Sequence, residues 1–381
     1  TAEVSPVGVQ QVAGLARRHG GVPVDRLEAA GQQLAIALGQ TPDGRFPRGL
    51  PPALAEAAAA IRDAARPLVT ALRPESAGTP DTGRAVASSA VLALLEVAER
   101  LAVGGDGDVV WCTRDDDRRG PRLLAAPLDV ASLVRGGLLA GRSAVLTSAT
   151  LSLGGSFVPL AAQVGLSPAN ERAFADGGAD GAGGATQADS GSAGAQAAPP
   201  AAPTEGVAWR GVDVGSPFDH ARSGILYVAR HLPPPGREPT THAQLDEIEA
   251  LVRASGGATL GLFSSRRAAV AAAEAMRERL PVPVLCQGDD QLPTLVEQFL
   301  ADETTCLFGT LSLWQGVDVP GRSCRLVIID RIPFPRPDDP IKAARAESVE
   351  RRGGNGFMAV SATQAALLLA QGAGRLLRRD E

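Results

Sequence analysis

The chain has 381 residues, enough for two or three domains with separate cores, and 44% of them are hydrophobic. Its formal net charge of −5 excludes a global cationic field, so any contact with nucleic acid must come from local arginine clusters. No run approaches the roughly 20 apolar residues of a membrane span, and no secretory signal opens the chain. We therefore expect a cytoplasmic protein without a membrane partner. The sequence leaves the oligomeric state open, and a monomer is the simplest expectation.

Lys342 is the only lysine in the sequence, and it follows Pro340-Ile341 rather than a glycine-rich turn. A P-loop, which binds the phosphates of ATP, requires a lysine directly after such a turn. The chain therefore contains no P-loop, and if it comes from an NTPase it is only a part of one. The four cysteines stand far apart without a C-x-x-C pair, so we predict reduced, buried thiols and no metal site.

Residues 1–104 predict a mostly helical accessory domain, because alanine-rich amphipathic stretches alternate there with turn signals. The four predicted helices lie near residues 4–18, 25–38, 50–72 and 81–103.

The pattern changes at about residue 105, and residues 105–170 form a second predicted segment. It contains predicted strands at 109–112, 123–126 and 143–146 and helices at 130–139 and 154–164. Residues 171–205 are rich in Gly, Ala, Pro, Ser and Asp and almost lack large apolar side chains. Such a stretch cannot bury enough surface to offset the entropy of ordering, so we predict a disordered insertion.

Residues 206–381 alternate between strands and helices, which is typical of a doubly wound parallel sheet. The predicted strands are 225–228, 259–263, 282–286, 305–308 and 325–329, and the predicted helices are 242–254, 266–279, 291–300 and those towards the end of the chain. The fold class is therefore α/β, preceded by the helical domain.

Two segments at the end of this region carry charged and glycine-rich patterns. The loop after the strand at 305–308 contains Gly316 and Asp318, at the strand end where open α/β sheets bind ligands. The segment 371–378, QGAGRLLR, puts Arg375 and Arg378 at helical spacing on one face. Two fixed guanidiniums suit the charge of a transferring γ-phosphoryl group. The alternative is an amphipathic helix with a solvated arginine face.

Four segments occur in the order expected of the DinG branch of the XPD/DinG-like helicases of superfamily 2. They are LTSATL at 146–151, GSPF at 215–218, the loop at 308–321, and the motif at 371–378. The segment 327–340 also resembles the stretch that joins motifs V and VI in that branch. The chain thus resembles the carboxyl-terminal part of such a helicase over residues 106–381. By position, residues 1–104 resemble the arch domain of that family. Residues 105–170 resemble the end of its first RecA-like domain, and residues 206–381 resemble most of the second.

The resemblance implies that ATP binds between two RecA-like domains. Arg378 would act as arginine finger, Arg375 would approach the γ-phosphate, and Gln371 would position these arginines or the attacking water. Gly316, Asp318 and Gly374 would border the nucleotide. The family implies Mg²⁺ as a further cofactor and leaves open an iron–sulfur cluster in the part that precedes this chain.

The resemblance also implies contacts with single-stranded DNA and translocation in the 5′-to-3′ direction. The candidate residues are Ser148, Thr150, Ser264, Thr310 and Trp314. Four of them have a structural alternative: the hydroxyls of Ser148, Thr150 and Ser264 suit helix capping, and Trp314 suits a partly buried loop aromatic. As a nucleic-acid residue, Trp314 would stack on a base.

The Walker A and D-E-A-H motifs of this family are missing from the chain, which begins at Thr1 without a methionine. We therefore expect a fragment that does not hydrolyse ATP by itself. Two other functions stay open: a non-catalytic nucleic-acid-binding remnant of a RecA-like fold, and a DinG-like helicase with an additional nuclease domain.

Overall fold

The computed structural model describes residues 1–73, 81–105, 107–114, 120–148, 150–172, 206–216, 218–234, 236, 240–310, 313 and 322–376. Contacts divide the chain into two compact units, Thr1–Val130 with Pro335–Ser361, and Ala131–Phe334 with Ala362–Glu381.

The helices and strands are numbered separately in chain order. The strands are β1 (Ala2–Val4), β2 (Gly44–Arg45), β3 (Asp108–Thr113), β4 (Arg122–Pro127), β5 (Thr259–Leu262), β6 (Val284–Cys286), β7 (Cys306–Gly309) and β8 (Leu326–Ile329). The helices are α1 (Pro6–Gly20), α2 (Asp25–Gln40), α3 (Pro52–Ala71), α4 (Thr82–Val103), α5 (Ala131–Val134), α6 (Val158–Gln163), α7 (His220–Ser223), α8 (His242–Ser255), α9 (Arg266–Arg279), α10 (Leu292–Ala301), α11 (Pro340–Arg351) and α12 (Thr363–Ala373). Two π-helical stretches, Arg135–Leu139 and Phe357–Ala362, and a 3₁₀ turn at Pro168–Asn170 complete the set within the described residues.

Helices α1 to α4 confirm the helical prediction for residues 1–104. Each places alanine and leucine or valine side chains on one face, and these faces share a single core that includes Leu34, Leu54 and Ile61. Polar caps fix two of the helix starts, because Ser5 accepts a hydrogen bond from the Gly8 amide and Asp81 accepts one from the Arg84 amide.

An antiparallel sheet with the order β1-β4-β3-β2 belongs to the same unit. Strands β3 and β4 were predicted, whereas β1 and β2 were not, since three and two residues carry too little pattern. Cys112, Leu123 and Ala125 of this sheet join the core of the helices. The predicted boundary at residue 104 therefore falls inside a packed unit, because β3 and β4 pair with strands from the helical region. The division into residues 1–104, 105–170 and 206–381, with an insertion at 171–205, stays a prediction.

Helix α11 also packs in this first unit, although the sequence prediction grouped it with residues 206–381. The Arg345 Nε donates to the Leu128 carbonyl over 2.9 Å, and Glu347 forms an ion pair with Arg45 of β2. Ala344 of α11 is buried.

The second unit contains a parallel sheet with the order β6-β7-β5-β8. Its side chains alternate between two cores on opposite faces of the sheet. Residues Cys306 and Phe308 of β7 face a core with α8 and α9, while Leu307 faces a core with α10 and α12. The three layers confirm the prediction of an α/β fold with a doubly wound parallel sheet.

Two predicted strands of the second unit do not form. Residues 143–146 and 225–228 have no regular secondary structure and no ladder partners among the described residues, and Val145 and Ile225 are 89% and 93% exposed. An apolar run becomes a strand only when a neighbouring strand satisfies its backbone groups, and the described chain supplies none to these two runs. The predicted insertion 171–205 lies outside the described residues except for residues 171 and 172.

Among the described residues, no helix is both long and apolar enough to cross a lipid bilayer.

Candidate nucleic-acid and nucleotide site

The carboxyl ends of the four parallel strands form one polar edge. The strands end in register, since Leu262 of β5 lies opposite both Gly309 of β7 and Ile329 of β8. Polar residues follow each strand directly or within two positions: Gln287 after β6, Thr310 after β7, Ser264 after β5 and Asp330 after β8. This edge is where ligands bind in open α/β sheets.

Ser264 and Asp330 join the ends of β5 and β8. The Ser264 amide donates to Asp330 Oδ1 over 2.9 Å, and the Ser264 hydroxyl donates to Asp330 Oδ2 over 3.0 Å. The Asp330 side chain is only 6% exposed and also accepts a bond from the Nε of Arg331 at 3.2 Å. Burial raises the pKa of Asp330 above its usual range, while the two bonds from Ser264 act in the opposite direction. We call this pair the anionic clamp.

Thr310 and Gln287 join the ends of β7 and β6 in the same way. The Thr310 amide and the Thr310 hydroxyl both donate to Gln287 Oε1, each over 2.9 Å. The backbone N–H of Gln287 in turn donates to the carbonyl of Phe308 over 2.8 Å, which continues the ladder between β6 and β7. We call this pair the neutral clamp, because its acceptor is a carboxamide and not a carboxylate.

Arg266 brings a positive charge to the loop that follows β6. It begins α9 after β5, yet a Cβ added at Gly288, after β6, would collide with the Arg266 guanidinium. The Arg266 side chain therefore reaches the loop that follows β6. Burial raises the pKa of Cys286, as does Asp289, and the guanidiniums of Arg277 and Arg266 oppose them, which agrees with this placement.

The predicted nucleotide residues of the second segment lie at the end of α12. Gln371 is half-buried in the last turn of the helix, and Leu368 anchors α12 in the core beneath the sheet. The helix ends at Ala373, so Gly374 and Arg375 lie in the turn that follows rather than on a continued helix face. Arg375 is half-buried, and its amide donates to the Gly372 carbonyl over 3.1 Å.

Four predicted site residues lie outside the described residues: Trp314, Gly316, Asp318 and Arg378. Ser148 and Thr150 are described. The Thr150 amide lies 3.3 Å from the Ser148 hydroxyl, and their two hydroxyl oxygens are also 3.3 Å apart. Among the described residues, the structure thus brings Ser264 and Thr310 to one edge and leaves Ser148 and Thr150 bonded to each other.

Sequence reasoning selected Ser264 and Thr310 but missed the partners that hold them, Asp330 and Gln287, as well as Arg266. A signal was present for the two partners, since each directly follows a predicted strand of the parallel sheet. No sequence pattern indicated that the Arg266 side chain reaches the loop after β6.

The described part of the chain contains no group of three or more His, Cys, Asp or Glu side chains that could hold a metal ion. All four cysteines are free and buried, at positions 112, 286, 306 and 324.

Comparison with known proteins gives consistent results. Residues 248–381 match the family model "Helicase C-terminal domain". Over 281 residues, which is 73% of this chain, the sequence is 55% identical to "ATP-dependent helicase DinG" of Mycobacterium tuberculosis (strain ATCC 25177 / H37Ra). Over 163 residues, 43% of this chain and 26% of the relative, it is 37% identical to "ATP-dependent DNA helicase YoaA" of Escherichia coli (strain K12).

A solved structure described as that of S. tokodaii Xpd4 shares the fold, with a TM-score of 0.51 at 11% identity, over 99% of this chain and 65% of that chain. The chain spans 37% of the length of the M. tuberculosis relative. These comparisons confirm the predicted resemblance: the chain is similar to the carboxyl-terminal part of a DinG-like helicase, and residues 248–381 match the model of the helicase C-terminal domain.

Proposed function

We propose that this chain is the carboxyl-terminal part of an ATP-dependent DNA helicase that couples ATP hydrolysis to 5′-to-3′ movement along single-stranded DNA. The observation that carries the proposal is the 55% identity over 281 residues to a protein described as an ATP-dependent helicase. The polar edge of the parallel sheet supports the proposal, because open α/β sheets bind ligands beyond the carboxyl ends of their strands.

On the nucleotide side, Arg375 and Arg378 contact the γ-phosphate, with Arg378 as the arginine finger, and Gln371 positions them. Gly316, Asp318 and Gly374 border the nucleotide. The described residues fit this role, since Arg375 lies two residues after the end of a helix that is anchored in the core through Leu368. When bound, ATP would supply the phosphoryl group and Mg²⁺ would supply positive charge to it. The residues of this chain contribute guanidinium groups that stabilise the negative charge during transfer.

On the nucleic-acid side, hydroxyl groups contact the phosphate backbone. The candidates are Ser148 and Thr150, with Ser264 and Thr310 at the edge of the sheet, and Trp314 stacks on a base. Contacts of this kind tolerate any sequence and weaken as salt increases.

A non-catalytic binding remnant is the second candidate function. The two arginines at 375 and 378 favour the helicase, because a binding scaffold does not require an arginine finger. The four buried free thiols suit a reducing compartment, so we place the protein in the cytoplasm.

The test uses a chimera in which the preceding part of the M. tuberculosis relative is joined to this chain. We expect ATP turnover that DNA stimulates. Arg378→Ala should lower the turnover rate by about 10³-fold or more, because an arginine finger contributes that much to phosphoryl transfer. The matched control is Arg379→Ala, which removes the next arginine in the sequence and should keep the rate. Near-normal turnover in the Arg378→Ala chimera would contradict the proposal.

A further inference from the structure

We propose that helix α11 is a tether. Docked on the rest of the first unit, it holds Asp330 against Ser264, and undocked it releases the Ser264 donors to a phosphate of the bound strand. Arg45 and Arg345 thereby become positioning residues for a nucleic-acid contact, although they lie in β2 and α11. The inference rests on the proposed function, in which Ser264 contacts the strand.

The first argument is that both donors of Ser264 are occupied by the anionic clamp. The amide and the hydroxyl of Ser264 both donate to the Asp330 carboxylate, and Asp330 is itself fixed by its amide, which donates to the Leu262 carbonyl over 3.1 Å. A phosphate oxygen needs donors, and a serine has only these two. Ser264 can therefore donate to a phosphate only after Asp330 withdraws.

The second argument is the course of the chain after Asp330. Residues up to Phe334 belong to the second unit, Pro335–Ser361 belong to the first, and the chain returns to the second unit at Ala362. Helix α11 lies inside this excursion, between the end of β8 and the start of α12. A change in the docking of α11 must therefore be absorbed or transmitted by the few residues that join it to Asp330.

These joining residues are stiff. Four of the eight residues from 333 to 340 are prolines, and the ring of each proline fixes its φ angle. A proline-rich segment is a semi-rigid spacer, so it absorbs little of a displacement. The Asp339 side chain accepts hydrogen bonds from the amides of Ile341 and Lys342, which fixes this segment to the first turn of α11. A displacement of α11 is therefore transmitted to Asp330.

The docking of α11 depends on a few polar contacts. The Arg345 Nε donates to the Leu128 carbonyl over 2.9 Å, and Glu347 forms an ion pair with Arg45, whose side chain is 16% exposed. Ala344 is the one buried residue of α11, a helix that the structure describes in full. A helix of 12 residues is marginal in water by itself. Elements with so few buried apolar contacts open more readily than the core, so these polar contacts decide whether α11 stays docked.

The first test measures amide hydrogen exchange of the 381-residue chain by NMR. Arg345→Ala should speed the exchange of the α11 amides about tenfold, because a hydrogen bond from a charged donor is lost. The Ser264 amide, which donates to Asp330, should exchange faster by about twofold or more. The Thr310 amide is the internal control, because it follows β7 of the same sheet and is not joined to the tether. Its exchange should not change.

Two further variants separate undocking from a general loss of stability. Glu347→Gln removes the charge of the ion pair, keeps the shape of the side chain and should speed α11 exchange about threefold. The matched control is Arg66→Ala, which breaks an exposed ion pair with Glu99 between α3 and α4 of the same unit. That control should leave the exchange of α11 and of the Ser264 amide unchanged.

The second test titrates a fluorescent oligothymidylate with the chain. Arg345→Ala should bind it about twofold to threefold more tightly, because a larger fraction of the chain has free Ser264 donors. Loss of a positive charge alone would weaken binding, so the sign of the change separates the two causes. In the double variant with Ser264→Ala the gain should be absent. Bound oligothymidylate should in turn speed α11 exchange in the wild type, because coupling between two sites is reciprocal.

The outcomes separate the inference from the function. Faster exchange in α11 with an unchanged Ser264 amide would overturn the inference and leave α11 with a structural role only. Equal or weaker binding by Arg345→Ala would overturn it too. If exchange rises throughout the first unit in Arg345→Ala, that variant has lost its fold, and Glu347→Gln decides by the same criteria. No binding by the wild-type chain would overturn the proposed nucleic-acid contact, while the Ser264 amide would still decide whether α11 holds Asp330.

Discussion

The strands of the parallel sheet and the stretches 143–146 and 225–228 have similar apolar sequences and opposite environments. Leu260 of β5 and Leu307 of β7 are fully buried, whereas Val145 and Ile225 are 89% and 93% exposed. All four segments, β5, β7 and the two stretches, contain residues that favour strands, so strand propensity does not explain the difference in burial. Backbone pairing explains it: β5 bonds to β7 and β8 at the same time, and each outer strand has at least one partner.

This comparison shows that an apolar run becomes a strand through its neighbours. Residues 259–262 have two parallel neighbours and helices on both faces, so their amides and carbonyls are satisfied and their side chains are buried. Residues 225–228 have a side-chain hydrogen bond instead of a partner strand, since the Tyr227 hydroxyl donates to Glu247 of α8 over 2.6 Å. That single bond holds one side chain and leaves the neighbouring Ile225 and Leu226 exposed.

The largest effect is expected for a substitution in the core of the paired strands. Phe308→Ala removes a fully buried ring of β7, which packs against Phe263 with centroids 5.4 Å apart. We expect the free energy of unfolding to fall by about 3–5 kcal/mol, as is typical for a buried phenylalanine replaced by alanine. Urea unfolding followed by circular dichroism measures the loss. Phe334→Ala, at a ring that is 46% exposed, is the matched control and should cost clearly less. Equal losses would contradict the assignment of the core.

A smaller effect follows from two buried thiols of the same unit, Cys306 in β7 and Cys324 just before β8. Burial raises the pKa of Cys306 to about 11 and the pKa of Cys324 to about 12, from a usual value of 9.0. Above about pH 9 the unfolded chain therefore releases thiol protons that the folded chain retains, so stability must fall as pH increases from 9 towards 12. Below pH 9 both states keep these protons, and the contribution is constant.

The measurement for the thiols is urea unfolding at about pH 8 and about pH 10. The double variant Cys306→Ala and Cys324→Ala should lose less stability between the two pH values than the wild type does, even if it is less stable at both. The same dependence in wild type and variant would show that other groups cause it.

The sequence predicted those parts of the fold whose pattern is local. Helix α9 was predicted at its observed bounds, since Ser265 caps its start and alanines line its buried face. Strands β1 and β2 could not be predicted, because their pairing partners lie more than 60 residues away and define them. The same reason explains why residues 143–146 and 225–228 were predicted as strands and are not.

In the candidate site, too, the sequence predicted local features but not those that depend on distant parts of the chain. The rule that ligands bind beyond strand ends was sufficient to select Ser264 and Thr310. Their partners Asp330 and Gln287 depend on strand order, because β8 lies beside β5 and β6 lies beside β7. A sequence read in chain order does not contain that order, so the charge difference between the two clamps could be seen only in the folded sheet.

The smallest effect is expected for a substitution in the stretch 225–228, which has no partner strand. Ile225→Ala should change the free energy of unfolding by no more than about 0.5 kcal/mol, because a side chain that is 93% exposed gives up almost no buried surface. The measurement is the same urea titration that is used for Phe308→Ala. A loss above about 2 kcal/mol would mean that Ile225 packs in a core, since only buried side chains of this size cost so much. A negligible loss would show that a β-branched residue in an apolar run contributes little without a partner strand. Stability then depends on the pairing that β5 has and residues 225–228 lack, and not on the residue types that they share.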